Sequence, residues 1–119
     1  MRATQRAIAD ACGRGFVTWR LNKIYADGVA PYYTVIAVGD EGREIEQWTA
    51  IKSAASEAIL AAGGTITHHH AVGKTHRPWF ERERGDTLLA SLRGMKKAVD
   101  PAGIMNPGTL LPSRKPEGD

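Results

Sequence analysis

Two stretches of two-residue alternation, with turn residues between them, restrict this fold more than anything else in the sequence. Phe16, Thr18, Arg20 and Asn22 alternate with Val17, Trp19, Leu21 and Lys23, a period that suits a strand and not a helix. Tyr32-Tyr33-Thr34-Val35-Ile36-Ala37-Val38 is a run of aromatic and β-branched residues, the strongest strand signal in the chain. Tyr25-Ala26-Asp27-Gly28 supplies turn chemistry, Pro31 allows a restart, and Gly39-Asp40-Glu41-Gly42 closes the second run. Two strands joined by so short a loop pair antiparallel.

Helical signals flank this hairpin. Ala3, Ala7, Ile8 and Ala11 recur at helical spacing between Arg2 and Cys12, and Gly13 and Gly15 stop the segment. After the hairpin, Ile45, Trp48, Ile51, Ala55, Ile59 and Ala62 form one apolar stripe, with Glu44 and Glu46 in the first turn where the helix dipole favours acids. Gly63-Gly64 ends that helix. Thr65-Ile66-Thr67 reads as a short extended piece, and Trp79–Arg84 as one or two turns interrupted at Gly85. Asp86 is placed to cap a long helix with Leu88, Leu89, Leu92, Met95 and Val99 on one face, stopping around Asp100-Pro101. The order is α-β-β-α-β-α, an α+β layer with helices packed on a small antiparallel sheet.

Composition narrows the function classes. At 119 residues the chain holds one modest core, too little for a dinucleotide-binding domain and a substrate domain together. Sixteen basic and 13 acidic residues give a net charge of +3, which suits a small anion without requiring nucleic acid. Arg82, Arg84, Arg93, Lys96 and Lys97 are interrupted by acids and sit in no nucleic-acid-binding motif. The single cysteine, Cys12, excludes an internal disulfide framework. No run has the length of a membrane span and the first residues make a poor signal peptide, so the expectation is a cytoplasmic protein with Cys12 reduced.

All four histidines fall between positions 68 and 76. Backbone alternation would point His68 and His70 one way and His69 the other. Three readings stand side by side. The cluster is a solvated loop; or a metal site, for which His76 or a carboxylate must complete the ligands; or a proton-handling, ligand-orienting wall, since imidazoles exchange protons near neutral pH. Gly63, Gly64 and Gly73 would let a ligand approach the backbone, and Lys74 and Arg77 place anion-binding charge nearby.

The run GGTITHHHAVGKTHRPWF (Gly63 to Phe80), followed by a helix and then VDPAGIMNPGTLL (Val99 to Leu111), resembles the C-terminal end of the FAD-linked oxidase family. This is the flavoprotein superfamily that includes vanillyl-alcohol oxidase, D-lactate dehydrogenase and alkylglycerone-phosphate synthase. The triple histidine is similar to the synthase branch, and Lys23 to Gly28 with Tyr32-Tyr33-Thr34 resembles the family's hairpin. Two positions depart from the pattern: Lys23 stands where a histidine is frequent, and Ala71 where a glycine usually follows the histidines.

The resemblance implies a fold of half a ferredoxin-like cap domain, with residues 1–112 as its C-terminal fragment and 113–119 a disordered tail. It implies FAD as cofactor, held by a missing N-terminal FAD-binding domain or subunit, without which the chain is inactive. His68, His69 and His70 would assist proton transfer near the flavin, and Tyr32 would handle the departing fatty acid's proton, with Tyr25 and Tyr33 as competitors. His69 and Asn106 would contact the cofactor, while Lys74 and Arg77 would bind a phosphate. No metal is implied. The substrate would be a small molecule, phosphorylated or lipid-like. In the synthase branch an acyl group on dihydroxyacetone phosphate is exchanged for a long-chain alcohol without net redox change; in the oxidase branches a hydroxyl is oxidised. A self-contained metal- or phosphate-binding module is the alternative from another class. As a cap domain the chain should expose apolar surface around Val99 to Leu111, and a homo-dimer is one way to cover it. Trp19, Trp48 and Trp79 read as core or interface residues.

Overall fold

A computed structural model describes residues 1–113; residues 114–119 of the expected tail lie outside the described residues. The element order is α1 (Arg2–Cys12), β1 (Gly15–Tyr25), β2 (Gly28–Ala37), α2 (Glu44–Ala61) and α3 (Arg77–Val99), an α+β chain. The described chain divides into two compact units, Met1–Gly64 and Thr65 onward, so the boundary falls directly after the glycine pair.

In the first unit β1 and β2 form a two-stranded antiparallel sheet with Phe16 opposite Ile36, Thr18 opposite Thr34 and Arg20 opposite Tyr32. The register shifts between Leu21 and Lys23, where the alternation read from the sequence changes phase. Helix α1 covers one face. Its buried stripe is Thr4, Ile8 and Cys12, one position round from the alanine stripe the sequence suggests. Ile8, at 1% exposure, is the most deeply buried large side chain, worth about 1.5–3 kcal/mol of burial. Polar ties fix the contact: the Gln5 Nε2 donates to the Val17 carbonyl at 2.8 Å, Trp19 Nε1 donates to Gln5 Oε1 at 3.2 Å, and the Tyr33 hydroxyl donates to the Met1 carbonyl at 3.3 Å.

Helix α2 packs against α1, and its apolar stripe is half-buried at Ile51, Ala55 and Ile59. Ser56 is the residue it buries, and burial of neighbouring Lys52 lowers that ammonium's pKa. Ile45 and Trp48 remain exposed. Periodicity located the helix correctly; its stripe is exposed at the N-terminal end and half-buried further along.

The second unit has its own core of Ile66, Phe80, Leu89 and Leu111, flanked by half-buried Val72, Trp79, Leu92 and Leu110. Helix α3 begins at Arg77 with Pro78 in its first turn, where a missing N–H costs nothing. Gly85, at φ 71° and ψ 170°, breaks it, in the place the sequence marked as an interruption. The predicted third strand does not form. Ile66 N–H donates to Glu83 Oε2 at 3.0 Å and Thr65 Oγ1 donates to Glu83 Oε1 at 2.7 Å, so a helix carboxylate takes the place of a neighbouring strand.

Gly15 is the tightest point of the first unit: a Cβ there would press on Cys12 Sγ and lie 2.6 Å from the Ile36 carbonyl oxygen. Gly15→Ala should destabilise the protein by about 1–3 kcal/mol through overpacking. Urea denaturation followed by tryptophan fluorescence should show a lower midpoint with an unchanged slope.

Candidate functional site

His68, His69 and His70 lie on an exposed bend, not on a strand. The rings of His68 and His69 meet edge to face with centroids 4.1 Å apart, and their Nδ1 atoms lie 2.8 Å apart. Adjacent residues on an extended strand point to opposite faces, so the expected alternation of the three histidines is lost with the strand. His70 stands further off, 6.4 Å from the His69 ring. The bend then turns through Ala71, which holds φ 57° where an L side chain is strained. His76 lies at the N-terminus of α3, its Nδ1 3.4 Å from the Ala71 carbonyl oxygen. Among the described residues, no three histidine, cysteine, aspartate or glutamate side chains are gathered to hold a metal ion.

A second loop, after α3, is held beside this bend. Leu110 N–H donates to the Gly73 carbonyl at 3.1 Å, and Arg77 Nη1 donates to the Gly108 carbonyl at 2.6 Å. The loop is also organised from within. Asp100, only 6% exposed, accepts from Lys96 Nζ at 2.6 Å and from the Ile104 and Met105 amides, each at 3.1 Å. Lys96 Nζ also donates to the Met105 carbonyl at 2.7 Å. Lys96 in front of the carboxylate, and the two amides with it, hold the Asp100 pKa below its usual value.

Between these anchors Asn106 is exposed at φ 45°, a conformation asparagine tolerates, and its carbonyl accepts from Thr109 N–H at 3.1 Å. Val99 and Ile104 are both 78% exposed and Met105 is exposed with them, whereas Leu110 and Leu111 turn into the unit's own core. The exposed apolar surface expected from Val99 to Leu111 is therefore present at Val99, Ile104 and Met105 and absent at Leu110 and Leu111.

The second unit thus carries the three histidines, Lys74 and Arg77 on one stretch and Asn106 on a second, the two tied at Gly73 and Gly108. Tyr32 belongs to the first unit, on the sheet face away from α1, with the Arg20 guanidinium 4.7 Å from its ring centroid. Lys74 is exposed, whereas Arg77 is engaged with the Gly108 carbonyl and has its Nε 3.9 Å from Glu81 Oε1. Sequence reasoning missed Asp100, Lys96 and Arg20. The i,i+4 spacing of Lys96 and Asp100 was the one signal that could have found the first two.

The arrangement fits one edge of a flavin and not the whole cofactor. Imidazoles at His68, His69 and His70 and the Asn106 amide are exposed, and these are groups whose chemistry suits hydrogen bonds to a flavin edge. A cavity of about 370 Å³ lies between α3 and the following loop, lined by Arg93, Lys97, Gly103, Pro107 and Leu111 among others. It is at the low end of small-molecule sites.

Comparison with known proteins agrees with this picture. Residues 1–110 match the family described as FAD linked oxidases, C-terminal domain. The alkyldihydroxyacetonephosphate synthase of Trypanosoma brucei brucei is 38% identical over 89 residues, covering 75% of this chain and 14% of the relative. That of Dictyostelium discoideum is 29% identical over 120 residues, covering 98% of this chain and 20% of the relative. The mitochondrial D-lactate dehydrogenase (cytochrome) of Arabidopsis thaliana is 42% identical over 55 residues, covering 46% and 10%. The chain thus spans a fifth or less of the length of these relatives.

Two outcomes follow from the loops. Ala71→Gly should stabilise the second unit by about 0.5–1 kcal/mol, the relief of left-handed strain less the extra chain entropy of glycine; a thermal shift assay reads this. Asp100→Asn should abolish the slow exchange of the Ile104 and Met105 amides, read by hydrogen–deuterium exchange. Because the folded-state pKa of Asp100 is depressed, its contribution is complete above the ordinary value of 3.8 and is lost as pH falls through the lower folded value. Wild-type protection of these amides should therefore survive mild acid and fail only below pH 3.8.

Proposed function

The chain belongs to the family of FAD linked oxidases, as their C-terminal domain, and on that premise we propose that it is the substrate-side part of an enzyme exchanging an acyl for an alkyl group on dihydroxyacetone phosphate. FAD is the cofactor of this family. The observation that carries the proposal is the pair of tied loops. They present three imidazoles and an asparagine amide at the surface, and the second loop also leaves Ile104 and Met105 uncovered. The two synthases matched over most of the chain support the choice of reaction.

In this reading the partner is an FAD-binding domain or subunit, which covers the apolar loop and brings the cofactor to the histidines. The bound flavin supplies the electronic chemistry at the reacting carbon. The chain supplies position and proton handling. His69, in ring contact with His68, holds or releases a proton beside the substrate, with His68 and His70 completing the wall. Tyr32 receives or returns the proton of the departing fatty acid through its hydroxyl. Asn106 orients the cofactor edge through its amide, and Lys74 neutralises the substrate phosphate, with Arg77 lending its charge from behind the loop. The substrate is accordingly phosphorylated and lipid-like. Where no flavin domain covers the apolar loop, a second copy does so as a homo-dimer. A reducing, cytoplasmic setting suits the free, buried Cys12.

The test joins the chain to its flavin-binding partner by co-expression with the upstream coding region. Purified protein should carry stoichiometric FAD and exchange a long-chain alcohol into acylated dihydroxyacetone phosphate without lasting loss of flavin colour. His69→Gln should retain the flavin and lose about 100-fold or more in exchange rate. Lasting flavin reduction by an alcohol or hydroxy acid, without exchange, would transfer the chain to the hydroxyl-oxidising branch. Absence of flavin from the co-expressed sample overturns the proposal.

A further inference from the structure

The face of the sheet opposite α1 carries a cation, Arg20, that pairs with no carboxylate among the described residues and lies over an aromatic ring instead. Trp19 and Tyr33 lie on the α1 side, tied to Gln5 and to the Met1 carbonyl. Strand alternation therefore sends Arg20 and Tyr32 to the other side. They are direct cross-strand partners, and the Arg20 guanidinium sits 4.7 Å from the centre of the Tyr32 ring, within cation–π range. A cation–π contact holds the guanidinium near the ring without consuming its N–H donors, of which arginine has five. No carboxylate pairs with Arg20 among the described residues, whereas Arg43, Arg84 and Lys96 pair with Glu46, Glu83 and Asp100, and Arg77 is spent on a backbone carbonyl. Along the same face the next pairs are Thr18 with Thr34, then Phe16 with Ile36. Phe16 and Ile36 are 60% and 65% exposed. From Arg20 to Phe16 is about 13 Å of strand.

From this we propose that Arg20 binds the carboxylate of a long-chain fatty acid, with the alkyl chain running along the sheet face toward Phe16 and Ile36. Two features select that ligand. The planar fork of an arginine matches a carboxylate through two parallel N–H···O bonds. The apolar pair further along the face rewards an alkyl chain, which a phosphate on a short polar backbone does not have. The inference deepens the proposed acyl exchange, on which it rests for its biological sense, because that reaction releases a fatty acid. It adds a carboxylate-recognising arginine next to Tyr32, on the sheet of the first unit, to the phosphate-directed charges proposed above.

The experiment uses the chain itself, isotope-labelled and titrated with decanoate below its micelle concentration. Amide and side-chain NMR signals of Arg20, Thr18, Tyr32 and Thr34 should shift and saturate. Arg20→Gln should weaken decanoate binding at least tenfold, and Arg20→Lys, which keeps the charge but not the fork, should fall between. Phe16→Ala should weaken decanoate but leave hexanoate almost unchanged. Decanol binding as well as decanoate, inorganic phosphate competing as well as decanoate, or Arg20→Gln behaving as wild type would each overturn the assignment. The exchange assay fails independently. Loss of exchange activity with decanoate binding intact refutes the proposed reaction and leaves the carboxylate site standing. Exchange activity that Arg20→Gln leaves untouched, with its decanoate binding likewise unchanged, refutes the site and leaves the reaction.

Discussion

The burial of the Asp100 carboxylate is the constraint on which the end of the second unit depends. An acid one residue past a helix faces the negative end of the helix dipole and is disfavoured there. Burial adds a desolvation cost. Both are offset because Lys96 reaches it from the last turn and the Ile104 and Met105 amides turn inward to meet it. With those amides committed, the chain from Ile104 onward has little choice of direction. The Ile104 and Met105 side chains face solvent, and Asn106 follows at the head of the next turn. Pro101 cannot extend the helix, so α3 gives way to this arrangement without competition.

The same rule, that a buried polar group must find a partner, shapes the start of the unit. Glu83 accepts from Thr65 and Ile66, which places Ile66 in the core with Phe80 and leaves the next residues free of any ladder. The histidines inherit a bend instead of a strand, and so His68 and His69 can touch. Leu110 and Arg77 then fasten the two loops to each other through the carbonyls of Gly73 and Gly108. Neither of these two fastenings runs through a histidine or Asn106 side chain, so the loop backbones are tied at other positions.

How much of this could be read from the sequence depended on how local the cause was. The hairpin and all three helices were legible, because period and turn chemistry act within a few residues. Gly85 was legible as a break because the conformation there is one that glycine adopts readily. The third strand was misread because its fate depends on Glu83, 17 residues away from Ile66, offering a carboxylate where a strand would be needed. Arg77 reads as a phosphate ligand by charge alone, and only the fold reveals the carbonyl 31 residues on that occupies it. The cross-strand meeting of Arg20 and Tyr32 follows from the register, which the bulge after Leu21 obscures in sequence.

The remaining discrepancy concerns apolar residues that periodicity assigns to a core and that the two units leave exposed. On α2 these are Ile45 and Trp48; on α3 and its loop they are Met95, Val99, Ile104 and Met105; on the sheet they are Phe16 and Ile36. They are not scattered. Each group continues a stripe or face whose other members are covered or half-covered, so the pattern is coherent and lacks only an occupant. Contiguous apolar surface of this kind marks interaction sites. A chain spanning a fifth or less of its relatives' length has such occupants to expect from the proposed flavin-binding partner. On the proposed function the hydrophobic pattern of this sequence gains its full sense: residues of α2 and α3 that the two units leave exposed would meet the proposed flavin-binding partner.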